Sequence, residues 1–392
     1  MKRLSRKEYK YVREVLDSEF RGSKKTSMVR QAEIAFADLI GSKFAIGFVN
    51  GTSTLHIALE VLGIGPGDEV IVPPLTMAAT TMAVLHTGAT PVFADVDRET
   101  FQISPTSIGK LVSGRTKAII TVALYGGSPD YASINKVAPN IPIVEDNAEA
   151  IGTMYQKRQI GTYGIMSSYS FQSSKHLTAG EGGMLCTNDE SIANKIRNLQ
   201  SLGYGLVGAK TQKIDKEALQ SPSFERHTSL GWNYRMSEVT AAVVLGQIQN
   251  SARLIKRRID IGTNIFELSE RFRIVKSQGI YPDSTHSFWA APLVLVSEDI
   301  RWEEFTKKFR TNGGKGIYAA WLLTYQEPFW KNKVLQNRLL DKQSGYQMEY
   351  DCPNAEYLQK RILAFRTNEW DKVDGKSQIK ALEKTLLGLE KR

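Results

Sequence analysis

Hydrophobic and polar positions along the chain follow two periodicities. Near the start, residues 6–18 and 29–40 space their apolar side chains three to four positions apart, which predicts two amphipathic helices. Gly41 directly follows the second pattern and is typical of a helix C-terminal cap. From residue 43, short apolar runs that predict strands alternate with segments that predict helices. This alternation predicts an α/β fold with a mainly parallel sheet and helices on both faces.

The predicted strands and helices divide the chain into two parts. Strands are predicted at 43–49, 69–72, 91–95, 118–122, 142–145, 168–171, 183–187 and 288–296. Helices are predicted at 53–62, 77–86 and 376–391, with one long helix over 236–272 and a long surface loop over 203–229. We predict a large domain at 28–250 and a smaller α/β C-terminal domain at 251–392, which folds with an N-terminal arm, 1–27.

The amino-acid composition limits the classes of protein to which this chain can belong. The 392 residues, 42% of them hydrophobic, can bury the cores of two domains, and no apolar run is long enough to span a bilayer. The basic start leads into an amphipathic helix and not into an apolar signal core. Two distant cysteines and five histidines without ligand spacing predict neither a disulfide framework nor a metal site. We therefore predict a cytoplasmic protein.

The net charge of +10 raises the alternative of a nucleic-acid-binding protein. Its best local support is the basic cluster at 253–258, but this cluster lies in a helical stretch where a solvated face is the simpler interpretation. No zinc-finger, basic-zipper or RNA-binding signature accompanies it. An enzyme that handles anionic ligands explains the charge equally well, so we predict no nucleic-acid partner.

The segment 169–183 carries the strongest chemical signal. It reads Tyr-Ser-Phe-Gln-Ser-Ser-Lys-His-Leu-Thr-Ala-Gly-Glu-Gly-Gly. Lys175 therefore has a serine-rich stretch before it and a glycine-rich stretch after it. A lysine forms a Schiff base with pyridoxal phosphate where small residues admit the ring and hydroxyls hold the phosphate. Ser170 and Lys175 would supply the hydroxyl and the amine. The alternative is an ordinary solvated lysine.

Two predicted strand ends carry further candidates. Gly51, Thr52 and Ser53 follow a strand and open a helix, so their N–H groups suit a phosphate, although an ordinary helix cap has the same pattern. Asp146 ends another strand, where an anion could face the nitrogen of a pyridine ring or simply cap the next helix. Glu149, one turn later, could reach the hydroxyl of that ring or be a surface charge.

Five blocks in order make the chain resemble the DegT-type sugar and cyclitol aminotransferases, a branch of the aspartate aminotransferase superfamily. The blocks begin at Asn50 (NGTSTLHIAL), Gly67 (GDEVIVPP), Glu145 (EDNAEA), Tyr169 (YSF, then Lys175 and GEGG) and Gly231 (GWNYRM). The resemblance covers about residues 28–270 and weakens beyond them. It implies the fold type I of pyridoxal-phosphate enzymes, with a seven-stranded type of sheet in the large domain.

The resemblance also implies roles for particular residues. Lys175 would form the internal aldimine and carry the proton, Asp146 would pair with the pyridinium, and Ser53 and Ser170 would bind the phosphate. Asn233 would reach the phosphate of the neighbouring subunit in a homodimer.

Two positions depart from the family pattern. Met77 stands where the family usually stacks an aromatic ring on the cofactor, so the contact there would come from a thioether. Glu149 stands where glutamine or histidine is common.

By this resemblance the chain is a pyridoxal-phosphate aminotransferase that moves an amino group from glutamate or glutamine to a keto-sugar, which could be nucleotide-linked, or to a keto-cyclitol. The segment 317–327 replaces the Pro-Leu-His type of segment found in nucleotide-sugar members, which leaves the acceptor open. One alternative is a pyridoxamine-dependent sugar dehydratase. Such enzymes carry histidine at the lysine position, so Lys175 argues against this even with His176 beside it. The other alternative is a non-enzymatic regulator on the same fold.

Overall fold

The computed structural model describes residues 2–20, 27–205, 220–331, 350–370 and 372–390. Part of the loop predicted at 203–229 therefore lies outside the described residues. No helix in the described ranges combines the length and the apolar character needed to cross a membrane.

The elements alternate along the chain much as the pattern predicts. The helices are α1 (Arg6–Asp17), α2 (Met28–Ile40), α3 (Gly51–Val61), α4 (Ala79–Thr87), α5 (Pro105–Leu111), α6 (Tyr131–Val137), α7 (Glu190–Gln200), α8 (Glu238–Ile248), α9 (Ser251–Ser269), α10 (Trp302–Thr311), α11 (Pro353–Gln359) and α12 (Lys372–Glu390). The strands are β1 (Phe44–Phe48), β2 (Glu69–Val72), β3 (Thr90–Phe93), β4 (Thr116–Val122), β5 (Ile143–Asp146), β6 (Met154–Tyr155), β7 (Arg158–Gln159), β8 (Met166–Ser170), β9 (Gly183–Thr187), β10 (Val275–Ser277), β11 (Ala290–Leu295), β12 (Ile317–Tyr318) and β13 (Ile362–Arg366).

The central sheet has seven strands in the order β1-β9-β8-β5-β4-β2-β3. β9 runs antiparallel to both of its neighbours, and the pairs among β8, β5, β4, β2 and β3 are parallel. Strands such as β4 and β5 are almost wholly buried because helices cover both faces of the sheet, and Ile119 packs in register with Ile71 and Ile143. The predicted α/β fold with a mainly parallel sheet is confirmed.

A second sheet, β10-β11-β13-β12, is antiparallel and belongs to the C-terminal part of the chain. Its core includes Phe305 and Phe309 of α10 and Leu386 of α12, which pack with residues of α9. The N-terminal helix α1 packs on α8, where the buried Glu8 accepts a 2.6 Å hydrogen bond from Gln247. The division into domains at residue 250 stays a prediction.

The prediction of one long helix over 236–272 is wrong, because the helix breaks between α8 and α9. Asn250 has φ −114° and ψ 8°, and its side-chain amide donates to the carbonyl of Gly246 at 2.8 Å and to Oγ of Ser5 at 3.0 Å. A side-chain amide that bonds to the backbone competes with the helix ladder, and the hydrophobic period does not register it.

Candidate active site

The carboxyl ends of β1, β5 and β8 lie at one edge of the central sheet, where a cavity of about 660 Å³ opens towards the C-terminal part of the chain. Parallel sheets commonly bind ligands at this edge. Six of the predicted site residues line the cavity: Gly51, Thr52, Met77, Asp146, Ser170 and Lys175. Ser53, Glu149 and Asn233 do not line it.

Lys175 sits at the end of a tight turn that follows β8. Its N–H donates to the carbonyl of Gln172 at 3.0 Å, and the side chain of Gln172 accepts from both the N–H and the hydroxyl of Ser174. The stretch after Lys175 needs glycine, because Gly180 and Gly182 have φ of +84° and +149°. Only 13% of the Lys175 side chain is exposed, so this lysine is not a solvated surface charge.

Glu149 is the partner of Lys175. Its Oε1 lies 3.0 Å from Nζ of Lys175, and its Oε2 accepts from the N–H of Tyr125 at 3.1 Å. The carboxyl is buried, so the interpretation of Glu149 as a surface charge is wrong. Tyr125 has φ of +62°, a conformation uncommon outside glycine, and this strained residue delivers its N–H to the carboxylate.

Asp146 ends β5 with its carboxyl buried. It accepts from Oγ1 of Thr80 at 2.9 Å and from the N–H of Ala148 at 3.2 Å. Burial raises the pKa of the Asp146 carboxyl, and these two hydrogen bonds and the charge of Lys175 oppose that rise. Among the described residues no cation forms an ion pair with Asp146. A buried carboxylate at a cavity wall without its own cation suits a cationic ring nitrogen, so the site fits a pyridinium.

The start of α3 and the end of β8 form a narrow cradle. A Cβ added at Gly51 would come within 2.9 Å of Cβ of Ser170, so the absence of a side chain at Gly51 leaves room for a small anion. The side chain of Asn50 accepts from the N–H of Ser53 at 2.9 Å and caps the helix. The hydroxyl of Ser53 donates to the carbonyl of Asn50 at 2.8 Å, so it faces the cap in this structure.

Met77 and Asn233 lie at the periphery. Met77 is 53% exposed at the rim of the cavity, just before α4. Asn233 is exposed, forms a backbone bridge with Ser201 and does not line the cavity of its own chain.

Several cavity residues were not predicted from the sequence. The ring of Tyr125 stacks on Trp289 with an interplanar angle of 15° and on Trp321 with an angle of 18°, and both centroid distances are 6.2 Å. Tyr125 and Trp321 lie in connections, where periodicity gives no signal. Trp289 lies in the strand predicted at 288–296, but the pattern of that strand does not show that its ring faces the cavity. Arg258 also lines the cavity and is 1% exposed. The interpretation of the 253–258 cluster as a solvated face is therefore wrong for Arg258, although Lys256 is exposed.

The fold and the lysine–carboxylate site define a fold type I pyridoxal-phosphate enzyme. The family model of the DegT/DnrJ/EryC1/StrS aminotransferases matches residues 2–372, and the chain belongs to this family. The family, the fold and the cofactor predicted from the sequence blocks are thereby confirmed, whereas the roles of individual site residues stay predictions.

Named relatives agree with this placement. The GDP-perosamine synthase of Escherichia coli O157:H7 is 36% identical over 302 residues, which cover 76% of this chain and 78% of the relative. The spore coat polysaccharide biosynthesis protein SpsC of Bacillus subtilis is 32% identical over 366 residues, which cover 92% and 89% of the two chains. The crystal structure of an aminotransferase from Psychrobacter cryohalolentis superposes with a TM-score of 0.85 at 27% identity and covers 98% of this chain and 97% of that one.

Proposed function

We propose that this protein is a pyridoxal-phosphate-dependent sugar aminotransferase that takes an amino group from glutamate or glutamine and passes it to a keto-sugar. The observation that carries the proposal is the buried pair of Lys175 and Glu149 at 3.0 Å, beside a cavity whose wall holds Asp146. The relative named a GDP-perosamine synthase supports a nucleotide-linked keto-sugar as the acceptor, with a keto-cyclitol as the other candidate.

The residues of the chain divide the work between binding and proton transfer. Pyridoxal phosphate, when bound, supplies an electron sink. The carboxylate of Asp146 would face the ring nitrogen and favour its protonated form by charge. The N–H groups at the start of α3, from Gly51 and Thr52, would bind the phosphate together with Ser170. Ser53 helps to hold the same phosphate if its hydroxyl turns away from Asn50.

Lys175 binds the cofactor and moves a proton at Nζ. Glu149 orients Nζ through the 3.0 Å hydrogen bond, and the face of Trp289 lies 4.9 Å from Nζ and excludes water from that side. Met77 lies at the rim of the cavity, where its thioether would contact the ring of the cofactor.

A residue from a second copy of the chain completes the active site. Asn233 is exposed and does not line the cavity of its own chain, which supports a role across a homodimer, where it would bind the phosphate held by the partner. The cellular setting we propose is the cytoplasm, which suits two buried free cysteines, Cys186 and Cys352.

The dehydratase alternative has less support. Nε2 of His176 donates to the carbonyl of Ser287 at 2.9 Å, and burial lowers the pKa of His176 well below its usual value. His176 does not line the cavity, so Lys175 presents the reactive side chain there. A regulator that has lost the cofactor would be colourless after purification, whereas the enzyme would be yellow.

Replacement of Lys175 by alanine tests the proposal. Wild-type protein reduced with borohydride should carry the cofactor on the peptide that contains Lys175, and a Lys175→Ala variant should carry none and turn over no substrate. Lys157→Ala, which removes an exposed lysine, is the matched control. Cofactor fixed to another lysine in the Lys175→Ala variant would refute the assignment. The amine-loaded protein, offered nucleotide-linked keto-sugars, free keto-sugars and keto-cyclitols, would then identify the acceptor.

A further inference from the structure

A buried arginine contacts the backbone of the turn that carries Lys175. Arg258 of α9 donates through Nη2 to the carbonyl oxygens of Ser174 at 2.6 Å and Lys175 at 3.0 Å. Its Nη1 donates to the carbonyl of Trp289 at 2.9 Å and to Oγ1 of Thr367 at 3.1 Å. One side chain thus joins the lysine turn to α9, to the start of β11 and to the residue after β13.

A second arginine reaches the same turn from the N-terminal arm. Arg3 donates to the carbonyl of Ser173 at 2.5 Å and also to the carbonyl of Lys175. The arm is fixed in turn, because Arg253 donates to the carbonyl of Arg3 at 3.4 Å and the ring of Trp370 lies 5.5 Å from the Arg3 guanidinium. The carbonyl of Lys175 therefore accepts from two guanidinium groups that come from distant parts of the sequence.

Within the described part of the chain, these two arginines donate mainly to backbone carbonyl oxygens and not to carboxylates. Among the described residues neither Arg3 nor Arg258 forms an ion pair. Burial lowers the pKa of Arg258 to about 9 and that of Arg3 to about 10, so both groups remain cationic at neutral pH. A buried cation that forms no ion pair is costly; the carbonyl oxygens of the turn compensate part of that cost, and the charge of Glu149 favours the cationic form of Arg258. Hydrogen bonds to a charged donor are stronger than neutral ones, so the turn is held firmly.

We propose that Arg3 and Arg258 are positioning residues, an arginine clamp that holds the backbone of residues 173–175. The clamp engages the carbonyl oxygens of the turn and leaves the side chain of Lys175 to extend into the cavity, with Nζ between Glu149 and the face of Trp289. It acts through the turn and not on the reacting atoms. This inference rests on the proposed role of Lys175.

Single and paired substitutions test the clamp. The variants are Arg258→Lys, Arg258→Gln and Arg3→Gln, with Lys256→Gln and Lys7→Gln as controls that remove exposed charges from the same two regions. Four quantities are measured: the pH at which the visible absorption of the cofactor-loaded protein titrates, kcat and KM for glutamate, and the thermal unfolding temperature of the cofactor-free protein.

A loosened turn should lower kcat more than it changes KM. We expect Arg258→Gln to reduce kcat about a hundredfold, since a displacement of roughly 1 Å has that effect, with a smaller reduction for Arg3→Gln. Loss of a nearby cation should raise the absorption midpoint in both glutamine variants. Arg258→Lys should restore the midpoint but not kcat, because a lysine keeps the charge and cannot hold two carbonyl oxygens as a planar fork does.

The arginines share one acceptor, so their effects should not add. In the double variant, the combined loss of kcat should be smaller than the product of the two single losses. The clamp is overturned if both single variants match the controls in kcat and midpoint, and the pairing is overturned if the two losses multiply. If the Arg258 variants fail to fold, the clamp is tested with Arg3→Gln alone, by its kcat and its absorption midpoint. Borohydride fixation at Lys175 in the wild type separates a failed clamp from a failed proposed function.

Discussion

Substitution of Gly51 by alanine tests the phosphate cradle with a single methyl group. The added Cβ would lie 2.9 Å from Cβ and 3.4 Å from Oγ of Ser170. Ordinary contacts begin at about 3.4 Å, so the start of α3 and the end of β8 must separate by about 0.5 Å. Overpacking of this kind costs about 1–3 kcal/mol. Alanine recovers about 0.5–1 kcal/mol of that through its better helix propensity. The cofactor-free protein should therefore lose between about 0 and 2.5 kcal/mol of unfolding free energy.

Cofactor binding should suffer more than stability. A displaced helix start and a displaced Ser170 weaken charge-assisted hydrogen bonds to the phosphate, each of which is worth about 1.5–3 kcal/mol. Loss of one such bond raises Kd by about tenfold to a hundredfold. Gly114→Ala is the matched control, because a Cβ at Gly114 meets nothing within 4 Å.

The assay is a titration of cofactor-free protein with pyridoxal phosphate, followed by visible absorption and by quenching of tryptophan fluorescence. Thermal unfolding of the same samples measures the stability change separately. The reasoning is refuted if Gly51→Ala and Gly114→Ala bind the cofactor with equal affinity, or if the loss of affinity matches a general loss of folded protein.

Three further predictions concern the carboxylates and the dimer. Burial raises the pKa of Asp146, so the folded cofactor-free protein favours the protonated carboxyl more than the unfolded chain does. The protein should therefore lose stability as the pH rises from 3.8, the ordinary pKa of the carboxyl, through its raised pKa in the folded state. Asp146→Asn should remove this loss, seen in unfolding curves across pH, yet slow turnover by orders of magnitude. Glu149→Gln should destabilise the cofactor-free protein by about 3–5 kcal/mol, because it leaves Lys175 charged and unpaired, and denaturant titration should detect this. Mixing inactive Lys175→Ala and Asn233→Ala subunits should regenerate activity; no recovery, with Asn233→Ala itself impaired, would contradict a shared site.

Much of the fold and the sheet side of the cavity could be predicted from the sequence. Strand and helix periods are local, and a mainly parallel sheet gathers its strand ends at one edge. Gly51, Asp146 and Ser170 therefore converge although more than a hundred residues separate the first from the last. Predicted strands matched observed ones to within a few residues, while the break at Asn250 escaped because its side-chain bonds leave no trace in the hydrophobic period.

The tertiary structure alone decided what the buried charges contact. Helical spacing places Arg258 on the same face as the buried Leu254 and Ile261, unlike the exposed Lys256. Its partners Ser174 and Thr367 are distant in sequence, so no local pattern indicates them. The pairing of Glu149 with Lys175 likewise depends on how the loop after β5 meets the turn after β8. Sequence patterns report the faces of helices and strands, whereas long-range contacts of single polar side chains are determined by packing, and this site depends on those contacts.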